Sequence, residues 1–228
     1  EPASVPTPIL EFKKEDIQYI SVKNAEGEYK AQPSGESSED DAVTLTIEGF
    51  EELPLNDTLL STLLNSSSAL SSDSTVEEKP SDISKYGLEN PTAEVTVKTS
   101  SGEKTLLVGD ESPVEGETYF MEKGGNAVYL AATSSLSVFK NNPEYFISTT
   151  LLEEPAEDSY PNVNEISISR TDLDYDIVLA YDKSTDKEDE KSGTLATHYM
   201  SKPIFAYLDV EKSQDATHGL FGLTAQSV

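Results

Sequence analysis

The sequence predicts an α+β fold: mainly antiparallel sheet, a few short helices on one face, and tandem related units. Three observations carry this. Apolar and polar residues alternate in several short runs, the two-residue period of half-buried strands. Glycine-containing turns separate those runs at hairpin spacing. The apolar pattern that opens the chain also returns in its second half.

The clearest strands lie between Ser84 and Leu130. Ala93-Glu94-Val95-Thr96-Val97-Lys98 alternates, with Ala93, Val95 and Val97 facing in. Ser101-Gly102 closes a hairpin onto Lys104 to Val108. Gly124-Gly125 offers positive φ at low cost, so Glu117 to Met121 and Ala127 to Leu130 form a second hairpin. Ahead of them, Pro91 holds Asn90 extended and keeps a helix out of the strand. Gly87 fills a backbone position that a larger residue could not, and Tyr86 and Leu88 flank it as anchors on the sheet.

Upstream, Ile17, Ile20 and Val22 begin a first strand. Asn24 to Gly27 turns, and Tyr29 lies on the returning strand. Gln32 to Asp41 reads as a polar loop, and Val43 to Ile47 alternates again. Asn56 or Asp57 caps a helix whose Leu59, Leu60, Leu63 and Leu64 form a core stripe. Ser66 to Thr75 is serine-rich and weakens the helix end. Ser134 to Lys140 is another short helix, bounded by Asn141-Asn142-Pro143.

Val163, Ile166, Ile168 and Tyr175 follow Ile17, Ile20, Val22 and Tyr29 at one constant offset. Pro203 then answers Pro54, and Leu223 answers Leu70, at slightly larger offsets. The organisation expected is a tether over 1–16, a complete unit over 17–150, an acidic, proline-containing linker over 151–162, and a partial second unit over 163–228. The second unit stops before any Tyr-Gly-Leu motif, so a longer native protein is expected.

Of the 228 residues, 43 are acidic and 16 basic, a formal charge of −27. That balance excludes a nucleic-acid partner, since phosphate binding needs clustered Lys and Arg. It also disfavours a bare anionic membrane surface. With no Cys there is no disulfide, thiolate zinc site or thiol nucleophile. The Pro-rich start Glu1 to Pro8 is the kind of tether that follows a bacterial lipidation cysteine. A removed signal and a removed N-terminal lipid anchor, giving an extracellular cell-surface protein, are therefore expected. No apolar run approaches the roughly 18–20 residues that span a bilayer.

Candidate chemistry is sparse. Asp172-Leu173-Asp174-Tyr175-Asp176 opens like a calcium loop, but Ile177 and Lys183 stand where that loop needs Gly and Glu. The run is read instead as a solvated hairpin, and in a strand its Asp side chains would share the solvent face while Leu173, Tyr175 and Ile177 face in. His198 and His218 are too far apart in sequence for a local metal motif. Ser137-Val138-Phe139-Lys140 and Ser184-Thr185-Asp186-Lys187 match S-x-x-K, but the partner motifs of that hydrolase class are missing. Asn56-Asp57-Thr58 and Asn65-Ser66-Ser67 fit the glycosylation sequon, which matters only in a eukaryotic secretory pathway. The acidic stretches Glu36 to Asp41 and Asp186 to Glu190 read as loops. No residue is assigned a catalytic, cofactor-binding or metal-binding role.

Tyr86-Gly87-Leu88-Glu89-Asn90-Pro91 and the strand after it are followed by Leu106-Leu107-Val108-Gly109-Asp110, then Tyr119-Phe120-Met121 and Val128-Tyr129-Leu130. In that order and spacing they resemble the bacterial family known as domain of unknown function 4340, over about Ile17 to Ser148, with a partial second copy. The resemblance implies a secreted or lipid-anchored envelope protein, with ABC-transporter components as partners. It supplies no catalytic residues. The expected role is a non-catalytic accessory or binding protein. The alternatives are a glycosidase-like hydrolase, using two carboxylates about 5–10 Å apart, and a structural spacer.

Overall fold

The structure, a computed structural model, describes residues 7–37, 43–72, 74–156, 159, 163–183, 197–209, 212–213, 216 and 219–226. The chain divides into two compact units, Glu1–Ser148 and Thr149–Val228.

In the first unit, β1 (Thr7–Glu11) precedes a meander of β2 (Ile17–Asn24), β3 (Gly27–Ser37) and β4 (Val43–Ile47). Helix α1 (Asp57–Ser68) follows, then β5 (Ala69–Ser72) and β6 (Ser74–Glu78). The strands β7 (Ala93–Thr99), β8 (Gly102–Glu111), β9 (Glu117–Glu122) and β10 (Ala127–Ala132) form two hairpins. Helix α2 (Thr133–Leu136) continues into the 3-10 turns Ser137–Lys140 and Pro143–Phe146. Eight strands make one antiparallel sheet in the order β4-β3-β2-β7-β8-β9-β10-β6, and β1 pairs with β5 apart from it.

The predicted alternation fixes which face is buried. Ile20, Val22, Val95, Val97, Leu106, Val108 and Phe120 project to one side, and Leu60, Leu63, Leu64 and Leu136 from the two helices pack on them. Asn56 caps α1, its side chain accepting from the Thr58 and Leu59 N–H groups at 3.1 Å each. Asn24 at the end of β2 donates to the Phe139 and Asn141 carbonyls, at 2.9 and 2.8 Å, and pins the chain after α2 to the end of this interior strand.

Three expectations change here, and one holds. Residues 7–16 are not a tether: β1 pairs antiparallel with β5 and buries Ile9 and Leu10, because its apolar pair finds the helix-side core. Gln32 to Ser37 continues β3 rather than looping, since β4 supplies a ladder partner despite Pro33 and a register shift. The serine-rich stretch ends α1 at Ser68, as expected, and continues as strands β5 and β6; buried Ser72 donates to the Leu130 carbonyl at 2.7 Å, which satisfies its hydroxyl. The start of the expected linker is paired within the second unit. Leu151 N–H donates to the Leu223 carbonyl, and Ala225 N–H to that of Thr149, both at 2.7 Å.

The second unit carries a four-stranded antiparallel sheet in chain order: β11 (Glu165–Ile168), β12 (Ile177–Tyr181), β13 (His198–Lys202) and β14 (Ala206–Tyr207). Ile166, Val178 and Leu179 are its buried aliphatic residues. The Asp172–Asp176 run belongs to a solvated hairpin, as expected, but is not one of its strands. It forms the turn between β11 and β12, leaving Tyr175 exposed where Tyr29 of β3 is buried. The reason lies in the register: Val22 faces Tyr29 in the first unit, whereas Ile168 faces Ile177 in the second. The longer turn moves Tyr175 out of the ladder, so its match to Tyr29 fails.

Candidate functional site

The loop that carries Tyr86-Gly87-Leu88 lies on the sheet face opposite the helices, over a small second core of Leu107, Met121 and Val128. Asp82 starts its 3-10 turn, accepting from the Ser84 N–H at 2.9 Å and the Ser84 hydroxyl at 2.6 Å. These bonds hold the Asp82 carboxyl below its usual range. Gly87 ends the turn at φ 71, a left-handed conformation that L side chains rarely adopt. A Cβ on Gly109 of β8 would lie 2.1 Å from the Tyr86 carbonyl oxygen, so the loop backbone rests directly on the strand.

Tyr86 is the loop's anchor. Its ring lies 4.8 Å from that of Tyr119, and its hydroxyl donates to Glu77 at 2.7 Å. Lys85 pairs with the same Glu77 oxygen at 2.7 Å and sits 4.9 Å over the Tyr86 ring. The Lys85 bond, then the Tyr86 bond, lowers the Glu77 carboxyl, while Glu77 raises both Lys85 and Tyr86. Glu77 therefore stays ionised at neutral pH as an acceptor. A general acid needs the opposite shift. Every carboxyl with a shift among the described residues (Glu51, Glu77, Asp82 and Asp172) is lowered.

Beside this loop is a shallow, open cavity of about 400 Å³. Ile83, Leu107 and Met121 line it with Lys79, Pro80 and the turn Gly124 to Asn126. Lys79 has φ 52, and its N–H donates to the Asn126 carbonyl. In the second unit, Ile204, Phe205 and Tyr207 are 64, 62 and 74% exposed, next to the half-buried Tyr199. The Phe205 ring lies 5.3 Å from that of Tyr199 and 5.2 Å from that of Tyr207. The result is a contiguous aromatic surface beside the edge strand β14.

The residues singled out from the sequence do not converge. Asp172 is held by a fork from Arg170, at 2.9 and 2.7 Å, which lowers its carboxyl, and Asp176 accepts from the Ser169 hydroxyl. Among the described residues no group of three or more His, Cys, Asp or Glu is placed to hold a metal. His198 is buried, with Nε2 2.7 Å from the Val163 carbonyl and Nδ1 2.9 Å from the Thr197 hydroxyl. These contacts place the ring proton on Nε2 and make the histidine a tie between β13 and the chain before β11. Ser137 donates to the Ser134 carbonyl, while Lys140 pairs with Glu111, so the serine and the lysine have separate partners. Asn56 is occupied as a helix cap, and Asn65 is exposed on α1. His218, Ser184 to Lys187, residues 38–41 and the acidic run Asp186 to Glu190 lie outside the described residues.

Sequence reasoning missed Lys79, Glu77 and the aromatic surface. Ile204-Phe205-Ala206-Tyr207 carries an apolar signal, but the same signal marks a buried strand. No helix among the described residues is long and apolar enough to cross a membrane. These features define a β-rich protein of two antiparallel-sheet units.

The chain belongs to the family described as Domain of unknown function (DUF4340), whose model matches residues 45–228. The match starts within β4 and runs through both units, beyond the Ile17 to Ser148 span that the motifs suggest. No curated protein and no solved structure matches the chain.

Proposed function

We propose that this is a non-catalytic accessory protein of the bacterial cell envelope. In this reading a lipid anchor holds it outside the cell, and it binds an envelope protein through the aromatic face of its second unit. The observation that carries the reading is the exposure of Ile204, Phe205 and Tyr207 as one contiguous patch. Contiguous exposed apolar surface is costly in a monomer and marks interaction sites. Aromatic residues are also the preferred anchors of such interfaces. The formal charge of −27 favours a partner surface that is basic around an apolar centre. An extracytoplasmic part of an ABC transporter is the partner that the family resemblance suggests.

The test is co-expression with candidate ABC-transporter components, followed by co-purification. The parent should carry a component through; a Phe205→Ser, Tyr207→Ser double variant with an unchanged melting temperature should not. Equal recovery with both would remove the aromatic face from the reading.

The same reading takes the two units as related copies. Supporting it, each contains a three-strand antiparallel meander with a corresponding cross-strand row: Ile20, Ala31 and Ile47 in one, Ile166, Leu179 and Met200 in the other. An experimental structure in which the two meanders curl with opposite hand would end it.

A further inference from the structure

We propose that the cavity beside Lys79 binds a small amphipathic anion: a free carboxylate carried on a short apolar tail. The site is in the first unit and is independent of the aromatic face. Its floor is apolar, formed by Ile83, Leu107 and Met121 from the loop, β8 and β9. A volume of about 400 Å³ suits a small molecule rather than a protein segment.

The charge at its mouth is specific. Lys79 has no carboxylate within ion-pair distance among the described residues, although acids outnumber bases 43 to 16 in the chain. Glu77, the acid of the neighbouring loop contact, is already held by Lys85 and Tyr86. The ammonium is therefore left for a ligand. Asn126, also lining the cavity, adds a side-chain amide that can donate to a carboxylate.

The backbone points the same way. Lys79 has φ 52, where Gly or Asn would be at ease, and it precedes Pro80, which favours extended geometry at that position. Strained non-glycine residues persist where the surrounding structure holds them, and they cluster at binding sites. Here the Lys79 N–H is held by the Asn126 carbonyl across the cavity rim. A second depression on the other side of the Gly125-Asn126 turn also contains a lysine, Lys104. That lysine is committed to the Ile9 carbonyl at 3.1 Å and to Glu122 at 3.5 Å.

The probe is octanoate, titrated into the full chain at low salt and followed by ligand-observed NMR, with octyltrimethylammonium and acetate as controls. Saturable octanoate binding in the millimolar range or tighter is expected, with neither control binding. Lys79→Asn accepts the left-handed backbone and removes the charge, so it should bind about tenfold more weakly without a lower melting temperature. Ile83→Asn should weaken binding by polarising the floor. The Phe205→Ser, Tyr207→Ser variant should bind as the parent does, which separates this site from the protein-docking face. No saturation by octanoate, equal binding of the cationic probe, or unchanged affinity in Lys79→Glu would each overturn the proposal.

Discussion

Replacing Gly109 by alanine tests how the Tyr86-Gly87-Leu88 loop is seated. The added Cβ would lie 2.1 Å from the Tyr86 carbonyl oxygen and 3.1 Å from the Leu88 side chain. An unstrained carbon–oxygen contact is about 3.3 Å, so one backbone must move by about 1 Å. The loop cannot rotate that carbonyl alone, because Gly87 N–H is bonded to the Ser84 carbonyl at 2.9 Å and Leu88 N–H to that of Ile83 at 3.2 Å. It must lift as a unit and loosen Tyr86 and Leu88, which are 8 and 1% exposed. Overpacking costs about 1–3 kcal/mol, and partial exposure of Leu88 adds to it, so about 2–4 kcal/mol is expected. Gly87→Ala makes a useful contrast. Its Cβ would meet the Asp110 carboxylate at 2.5 Å, but Asp110 is exposed and its side chain can swing away. What remains is the left-handed backbone cost of about 1–2 kcal/mol. Urea unfolding followed by circular dichroism reads both variants. With a slope of about 1–3 kcal/mol per molar urea, the Gly109→Ala midpoint should fall by about 1 M and Gly87→Ala by less. A Gly109→Ala midpoint equal to the parent's, or a larger loss in Gly87→Ala, would refute the seating argument.

Three further outcomes follow from the same contacts. Leu63 of α1 is fully buried, so Leu63→Ala should cost about 2–5 kcal/mol in urea unfolding, against about 0.5 kcal/mol or less for an exposed leucine. The Tyr29 hydroxyl is buried without a partner among the described residues, and burial pushes its pKa well above the ordinary value. Tyr29→Phe keeps the ring contact with Phe146 and removes the unsatisfied group, so the melting temperature should hold or rise; a clear fall would reveal a partner for that hydroxyl. Because the Glu77 carboxyl is lowered in the folded state, its contribution is complete above its ordinary value of 4.5 and is lost as pH falls through the lower folded value. The stability gap between the parent and Glu77→Gln should therefore close on acidification below pH 4.5, and a pH-independent gap would contradict the Lys85–Glu77–Tyr86 arrangement.

What was legible in the sequence is what local physics decides. Ala93 to Lys98 alternates and is a strand, Asn56 caps α1, and Gly87 holds a backbone position, at φ 71, that a larger residue would not readily take. What was not legible depends on distant partners. Thr7–Glu11 looks like a tether until β5 pairs with it, and β5 itself lies in serines whose weak strand preference gives no warning. The Asp172–Asp176 run has strand alternation, but a turn length decided elsewhere keeps it out of the ladder. Ile204 and Phe205 drew no assignment from the sequence, because an apolar run carries no mark of whether it is buried or exposed.

Lys79 is a sharper case, since a local rule does apply there and is broken. A residue before proline is pushed toward extended geometry, and a long side chain avoids the left-handed region. Lys79 precedes Pro80 and still has φ 52. The nearby Gly87 and Gly124 have positive φ as well, but they accept it without penalty. A conflict between local preference and observed backbone calls for a compensating gain. The side chain offers none, since it is exposed and unpaired among the described residues, and the gain that the backbone shows is the Lys79 N–H bond to the Asn126 carbonyl beside the β6–β10 ladder. Lys79 also lines the cavity of the first unit, so the exception to local reasoning falls at the site proposed for an amphipathic anion.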